Sequence, residues 1–267
     1  MPAELTVRAA GFAPVKGMRH LTRARLELDE RGVVGDRDWC LVDVAARRVL
    51  RTVQHPSLIA VHASTDGDRL SMTLPTGESV SEAPADSGEV LTCDYWGRSV
   101  DLAVASGGHA ALVSEWLGKD VRLARAPRRS VVFAAPVTVV GTASLRDLAE
   151  RTGHPVEAAR FRATLVVDTD EPYVEDTWLG TEVQVGDAVI TMGGPIPRCA
   201  VIDHHPETGA KDARLLKALA RDRPTNRAGE PMLGVFAECV RAGTVVTAGL
   251  RAGQPLLTGI NPDKGVE

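Results

Sequence analysis

A chain of 267 residues with a formal net charge of −4, 44% apolar and 25% charged side chains, is long enough for two ordinary domains with a sizeable core. That balance excludes a disordered chain and a strongly basic nucleic-acid binder, so any cationic site has to be local. Cys40, Cys93, Cys199 and Cys239 are widely spaced with no C-x-x-C pair, which excludes a zinc knuckle and a dithiol redox motif and fits reduced thiols in a cytoplasm.

The start Met-Pro-Ala-Glu-Leu lacks a basic stretch followed by an apolar one, and nowhere do about 18 apolar residues run together. The expectation is neither a signal peptide nor a membrane span. Residues 21 to 28 put Ala24, Leu26 and Leu28 on one side and Arg23, Arg25 and Glu27 on the other, which predicts one half-buried strand. Glu30-Arg-Gly32 turns the chain, Gly35 bends it again, and Trp39-Cys-Leu-Val-Asp43 reads as the next strand. Asp66-Gly67 separates the apolar run at 58 to 63 from alternating Leu70, Met72 and Leu74, a hairpin signal. Short strands continue to about residue 104, which predicts a small barrel or sandwich-like unit.

Leu112, Val113, Trp116 and Leu117 fall on one face of a predicted helix over 108–117, stopped by Gly118, which is expected to seal one unit against the other. Residues 126 to 131, Ala-Pro-Arg-Arg-Ser-Val, break both periodicities and read as the linker, so the domains divide as 1–125 and 126–267. Val137 to Val140 is strand-like, Gly141-Thr142 is a turn and cap, and Leu145, Leu148 and Ala149 predict a helix ending at Gly153. Further strands are predicted at 164–168, 183–192, 200–203, 235–240 and 244–247, with a helix over 212–222 capped by Asp212 and ended before Pro224. The tail from Gly259 is expected to fray. The fold class is α+β and strand-rich in both halves.

Three pieces place a cation beside a glycine or a strand start, where backbone N–H groups and a long side chain can converge on an anion: Pro14-Val-Lys16-Gly17, Gly35-Asp-Arg37-Asp-Trp39 and Ala159-Arg160-Phe-Arg162-Ala-Thr164. Each taken alone reads first as a solvated surface cation. In Pro195-Ile-Pro-Arg-Cys199 two prolines stiffen the approach to one thiol, which is a metal ligand, a nucleophile or core packing. Asp203, His204 and His205 form no metal site by themselves, since neighbours on a strand point to opposite faces. The Gly-Gly pairs at 107–108 and 193–194 lack the patterns of nicotinamide or nucleotide binding. Glu175 and Asp176 read as braces for an arginine, and Cys40, Cys93 and Cys239 as small buried hydrophobes.

Taken in order, Pro14-Val-Lys16, Gly35-Asp-Arg37-x-Trp39, Ser114 with Trp116-Leu117, Ala143-Ser-Leu-Arg-Asp-Leu148, Arg160-Phe-Arg162, Glu175-Asp176-x-Trp178, and Arg198-Cys199 followed by Pro206-x-Thr-Gly209 resemble the MOSC (molybdenum cofactor sulfurase C-terminal) proteins, in the branch of the amidoxime-reducing components. The similarity runs from residue 10 to residue 250 and rests on the ordered set. It implies an N-terminal MOSC-associated β-barrel domain followed by a MOSC β-barrel domain with a few short helices. It also implies a molybdenum cofactor, a pyranopterin dithiolene carrying the metal, with Cys199 as protein ligand and catalytic thiolate. Lys16, Arg37, Arg162 and Arg198 would surround the anionic cofactor, Gly17 would offer its backbone N–H, and Thr142 and Ser144 would hydrogen-bond the pterin or its phosphate.

This chain departs from the family at Ala163-Thr164 in place of Pro-Asn, which leaves Thr164 a hydroxyl where an amide is usual. Gly17 replaces a serine, and His205-Pro206 replaces Asp-Pro. The implied activity is reduction of a small, N-hydroxylated substrate without pyridoxal phosphate, with His204, His205 or Asp36 as proton source. No iron–sulfur cysteine set follows Cys239, so electrons come from an external electron-donor protein. The alternatives are a carrier of the cofactor or of a persulfide on Cys199, and a metal-free thiol enzyme. Neither a nucleic-acid nor a membrane partner is expected.

Overall fold

The structure is a computed structural model and describes residues 3–248; the predicted fraying from Gly259 lies outside the described residues. Five strands, Trp39–Asp43, Arg48–Val49, Ala85–Tyr95, Arg98–Ser106 and Val121–Arg125, close into a barrel. Trp39–Asp43 is apolar on both faces because both are covered: Cys40 and Val42 join one core cluster with Cys93 and Tyr95, Trp39 and Leu41 another with Leu70 and Met72. The predicted hairpin forms as His62–Asp66 against Arg69–Thr73, with Gly67 at φ 57 in the two-residue turn. The apolar run before it is partly a 3-10 turn, Pro56–Ala60.

The first helix, α1 (Gly108–Leu117), ends at Gly118 in the left-handed conformation, where glycine carries no Cβ penalty. It packs its Leu112, Val113, Trp116 and Leu117 into the cluster of Leu70, Met72 and Leu123. The helix therefore covers its own unit rather than sealing two units together, because the hairpin and barrel supply the apolar surface that its stripe needs.

An eight-stranded sheet forms the other half, in the order Ala3–Glu4, Glu182–Val185, Ala188–Pro197, Met232–Arg241, Val137–Gly141, Leu165–Val167, Val7–Phe12, Leu21–Arg23. Helices α2 (Thr142–Thr152) and α3 (Leu215–Asp222) share a core cluster with it through Leu145, Leu148, Leu215 and Leu219. A small third sheet joins Gly243–Val246, Arg25–Asp29 and Gly32–Val33. The chain's opening strands thus pair with strands that follow residue 137, and a division near residue 125 separates barrel from large sheet only from Trp39 onward. Residues 13–20 and 34–38 link these strands to the barrel, tied by the Val15–Trp39 bridge, and carry Lys16 and Arg37.

Several local expectations change for tertiary reasons. The strand predicted over 21–28 breaks at an exposed Ala24, whose carbonyl accepts from Thr247 N–H at 2.9 Å, so its two parts join different sheets. Residues Ala200–Asp203 form a 3-10 turn instead of a strand, and Asp203 Oδ1 accepts Leu216 N–H at 2.9 Å. Asp203, not Asp212, therefore caps α3, which starts at Leu215 because the Asp212 carboxylate accepts from Arg160 at 2.7 and 2.8 Å. The linker is not free: Ala126 and Val131 are buried, Arg128 pairs with Asp29, and Arg129 pairs with Glu238 at 2.7 Å.

Candidate functional site

Pro195 and Pro197 offer no N–H to the sheet, and the pairing of Ala188–Pro197 with Met232–Arg241 shifts register at both. The strand leaves the sheet at Arg198, whose backbone N–H donates to Pro231 O at 2.9 Å, and Cys199 follows half-buried. The Arg198 side chain is 6% exposed. Its Nε donates to Leu233 O at 2.8 Å and its Nη1 to Phe161 O at 3.0 Å, while Nη2 has no partner. Gly234, at φ 73, makes room for it, since a Cβ there would lie 3.1 Å from Nη2 and 2.6 Å from Val139 O.

Three more cations arrive from three other segments. Arg162 sits at φ 51 after the turn Ala158–Phe161 and donates from Nη1 to Met18 O at 2.8 Å. Arg37, at φ 53, pairs with Asp36 at 3.0 Å and leaves Nε without a partner. Positive φ at two non-glycine residues is strain of a kind that collects at functional sites. The Lys16 ammonium lies 5.4 Å from the Tyr95 ring centroid.

These four cations and Cys199 line one cavity of about 200 Å³, with Tyr95, Trp96, Phe133 and Phe161 among its walls. Burial first, then Arg37 and Arg162, push Lys16 well below the usual lysine range, while Asp36 and Cys199 oppose the shift. Burial, then Arg37, lowers Arg162 to about 10. Burial lowers Arg198 to about 10, against the pull of Cys199 and Glu175. Six cations line the cavity, counting Arg51 and Arg160, with one carboxylate, Glu230, on the wall. Arg37 is paired with Asp36 and Arg160 with Glu157 and Asp212, which leaves Lys16, Arg51, Arg162 and Arg198 without an ion pair among the described residues. Such an excess, with buried donors left unmatched, calls for an anion: each cation is worth up to about 4 kcal/mol at 4 Å in an effective dielectric near 20, before desolvation is subtracted.

Lys16, Arg37, Arg162, Arg198 and Cys199 are thus brought together from four stretches of sequence. Gly17 shapes the adjoining loop at φ 91. Thr164 stands one step behind the wall, its N–H donating at 2.9 Å to the hydroxyl of Thr138, which lines the cavity. Thr142 and Ser144 are not brought to it. Ser144 Oγ faces both oxygens of buried Glu175 at 2.8 and 2.9 Å and accepts Tyr173 N–H at 2.7 Å. Thr142 Oγ1 accepts Thr169 N–H at 3.0 Å. The start of α2, which has no side-chain cap of its own, is satisfied by Thr169, whose Oγ1 accepts Ala143 N–H at 3.0 Å, and by Glu175, which accepts Gly141 N–H at 3.1 Å; the two hydroxyls tie that start to the 169–175 segment.

Of the two carboxylates expected to brace an arginine, Asp176 pairs with Arg223, and Glu175 instead holds the α2 start. Arg160 is spent on Glu157 and Asp212. None of Asp36, His204 and His205 lines the cavity; His204 Nδ1 engages Gly209 O at 2.8 Å, and His205 Nδ1 accepts from Glu207 N–H at 3.2 Å. Glu230 and the aromatic walls were missed by sequence reasoning. Trp96-Gly97 carried the one usable signal: both residues adopt positive φ, 56 and 75, in the turn between Ala85–Tyr95 and Arg98–Ser106, where Asn-Gly is usual and a tryptophan is costly. Cys40, Cys93 and Cys239 are buried, and burial pushes the Cys40 thiol up to about 12.

The MOSC domain family model matches residues 114–256, and the MOSC N-terminal beta barrel domain model matches residues 6–120. The chain is 25% identical to mitochondrial amidoxime-reducing component 1 of Mus musculus, over 94% of this chain and 81% of that protein. It is 26% identical to the protein of the same name in Danio rerio, over 84% of this chain and 74% of that one. It is also 26% identical to the molybdenum cofactor sulfurase of Drosophila mojavensis, over 78% of this chain but 28% of that longer protein. The strand-rich architecture with its closed five-stranded barrel agrees with both domain matches, and this protein belongs to the MOSC domain family, with a MOSC N-terminal beta barrel domain ahead of it.

Proposed function

We propose that the cavity beside Cys199 holds a molybdenum cofactor and that the protein reduces a small N-hydroxylated substrate there. The observation that carries this reading is the set of four cations without an ion pair among the described residues, Lys16, Arg51, Arg162 and Arg198, and one half-buried thiol around a single cavity. The residues fit the group: Arg198 Nη2 and Arg37 Nε are buried donors with no protein partner. Lys16, Arg37, Arg162 and Arg198 would neutralise its phosphate and dithiolene, with the Gly17 backbone and the Thr138–Thr164 hydroxyl pair in support. Ser144 would act indirectly, through Glu175 and its electrostatic pull on Arg198, and Thr142 through Thr169.

Cys199 would supply the protein's thiolate to the metal. Coordination deprotonates a thiol outright, so no histidine is needed beside it. Among the described residues no group of three or more His, Cys, Asp and Glu side chains is placed to hold a metal, so the remaining ligands would come with the cofactor. When bound, the group supplies two-electron exchange of oxygen with a substrate. The N–O bond of the N-hydroxylated substrate breaks, and two electrons and two protons turn it into the parent N–H compound and water. The electrons come from a separate donor protein. Four free thiols support a reducing cytoplasm, and no helix among the described residues is long and apolar enough to cross a membrane.

A second reading, carriage of the cofactor or of a persulfide on Cys199, draws support from the sulfurase relative. Metal and pterin analysis of wild type beside Cys199→Ala, grown with ample molybdate, tests both. Wild type is expected to carry molybdenum and the variant to lose it; an empty wild type would overturn the reductase reading and carriage of the cofactor. Turnover of an amidoxime by dithionite-reduced dye, lost in Cys199→Ala, separates reductase from carrier.

A further inference from the structure

A larger cleft, about 840 Å³, opens between the end of α2 and α3, away from the cation-lined cavity. It is lined by Arg151, His154, Lys211, Arg214, Lys217 and Arg221. Along α3, Arg214, Lys217 and Arg221 recur at i, i+3 and i+7 and are exposed, while Leu215 and Leu219 on the opposite side are 0% exposed. Acidic neighbours are already engaged: Asp212 by Arg160, Asp222 by Arg151. Among the described residues Arg214, Lys217 and Arg221 form no ion pair, and like charges at helical spacing destabilise the helix that carries them. A cationic stripe of this kind on a chain of net charge −4 calls for an anionic partner.

The stripe also reaches the reaction centre. Lys217 lines a further pocket of about 460 Å³ whose other walls include Cys199, Arg198, Glu230 and Pro231. We propose that the α3 cleft docks the acidic face of a soluble electron-transfer protein, which is thereby seated beside Cys199. The inference rests on the reductase reading, which requires such a donor. The cleft has no Phe, Tyr or Trp on which a nucleic-acid base would stack, and its apolar lining is limited to Ala213, Leu215 and Ala218, with no large exposed apolar group for a lipid surface. Charge complementarity of this kind acts mainly on the association rate, raising it by roughly 10- to 1000-fold and falling steeply with salt.

The test uses the full-length, cofactor-loaded protein with two probes, an acidic [2Fe–2S] ferredoxin and an acidic flavodoxin. Binding is measured at low and high salt for wild type, Arg214→Glu/Arg221→Glu and Arg214→Gln/Arg221→Gln. Wild type is expected to bind at least one probe at low salt and to lose at least about tenfold in affinity at high salt. The reversal variant is expected to lose about tenfold at low salt, with the neutral variant between. Dye-driven turnover should stay at the wild-type value, and the melting temperature should not fall, since both variants relieve like-charge repulsion along α3. Equal probe binding by wild type and reversal variant, no binding of either probe, or tighter binding of single-stranded RNA or anionic vesicles would each overturn the proposal. Charge-dependent probe binding in a protein that shows no dye-driven turnover would leave the docking surface standing and overturn the reductase reading alone.

Discussion

Arg198 is joined to Phe161 twice: its Nη1 donates to the Phe161 carbonyl at 3.0 Å, and its guanidinium lies 5.2 Å from the Phe161 ring centroid. With Nε held by Leu233 O, the guanidinium is fixed, and the unpartnered Nη2 is a donor oriented before any ligand arrives. Preorganisation of this kind saves the ordering entropy that a flexible lysine would lose on binding.

Arg198→Lys keeps the charge and loses the fork. Loss of one charge-assisted hydrogen bond costs about 1.5–3 kcal/mol, so affinity for the bound anion is expected to fall roughly 10- to 100-fold. Molybdenum content after dialysis reads this directly. Gly234→Ala should show the same defect, since its Cβ would stand 3.1 Å from Nη2. Full metal retention in both variants would remove Arg198 from the site.

The four thiols should separate in a labelling experiment. Burial pushes Cys40 up to about 12 and raises Cys93 and Cys239, while Cys199 is half-buried on the cavity wall. Thiolate fraction and access set alkylation rate. Iodoacetamide at pH 8 on the cofactor-free native protein is expected to label Cys199 first, with the other three reacting only after unfolding. Peptide mass spectrometry checks the order.

Lys16 sets a trade-off between stability and binding. Its folded pKa lies below the unfolded value of about 10.4, so between the two the unfolded chain holds more protons. Stability of the empty protein therefore rises with pH through that window. Arg162 and Arg198, each lowered to about 10, continue the rise at higher pH. Lys16→Met is expected to stabilise the empty protein near neutral pH, flatten the rise and weaken cofactor retention. Urea unfolding at pH 7 and pH 9.5, beside metal analysis, would show it; a variant less stable than wild type at pH 7 would contradict it.

Ser144 carries a different expectation. Its hydroxyl faces both oxygens of Glu175, and Ser144→Ala leaves that buried carboxylate short of a donor. A loss of about 1.5–3 kcal/mol in unfolding free energy is expected, with cofactor content changed far less than in Arg198→Lys. Gly141→Ala should be at least as damaging, because its Cβ would meet Thr169 Oγ1 at 2.7 Å and Glu175 Oε2 at 2.8 Å. Unfolding curves for the two variants, read with molybdenum content, distinguish support of α2 from direct contact with the ligand.

Much of the candidate site was legible because Lys16, Arg37, Arg162 and Arg198-Cys199 stand in short pieces whose order resembles a family. Thr142 and Ser144 show where such reading stops. A hydroxyl residue at a helix start looks the same in sequence whether it meets a ligand or, as here, a carboxylate 31 residues away. Glu230 had no local mark at all; its place on the wall follows from Asn226, whose side chain accepts the Glu230 N–H at 3.0 Å and donates to its carboxylate at 2.7 Å.

By itself the sequence determined the elements that near neighbours decide. Gly118 stops α1, Gly67 turns the hairpin, Gly153 ends α2, and the apolar run from Trp39 to Val42 makes a strand buried on both faces. These follow from side-chain period and backbone freedom, which act over a few residues. Only the tertiary structure decided that Ala24 breaks a strand between two sheets, that Asp203 rather than Asp212 caps α3, and that the opening strands belong to the large sheet. It also decided that Lys16, Arg37, Arg162 and Arg198, from distant segments, line one cavity with one thiol. Such outcomes depend on which buried polar group finds which partner across the fold, and the spacing of residues along the chain does not encode that choice.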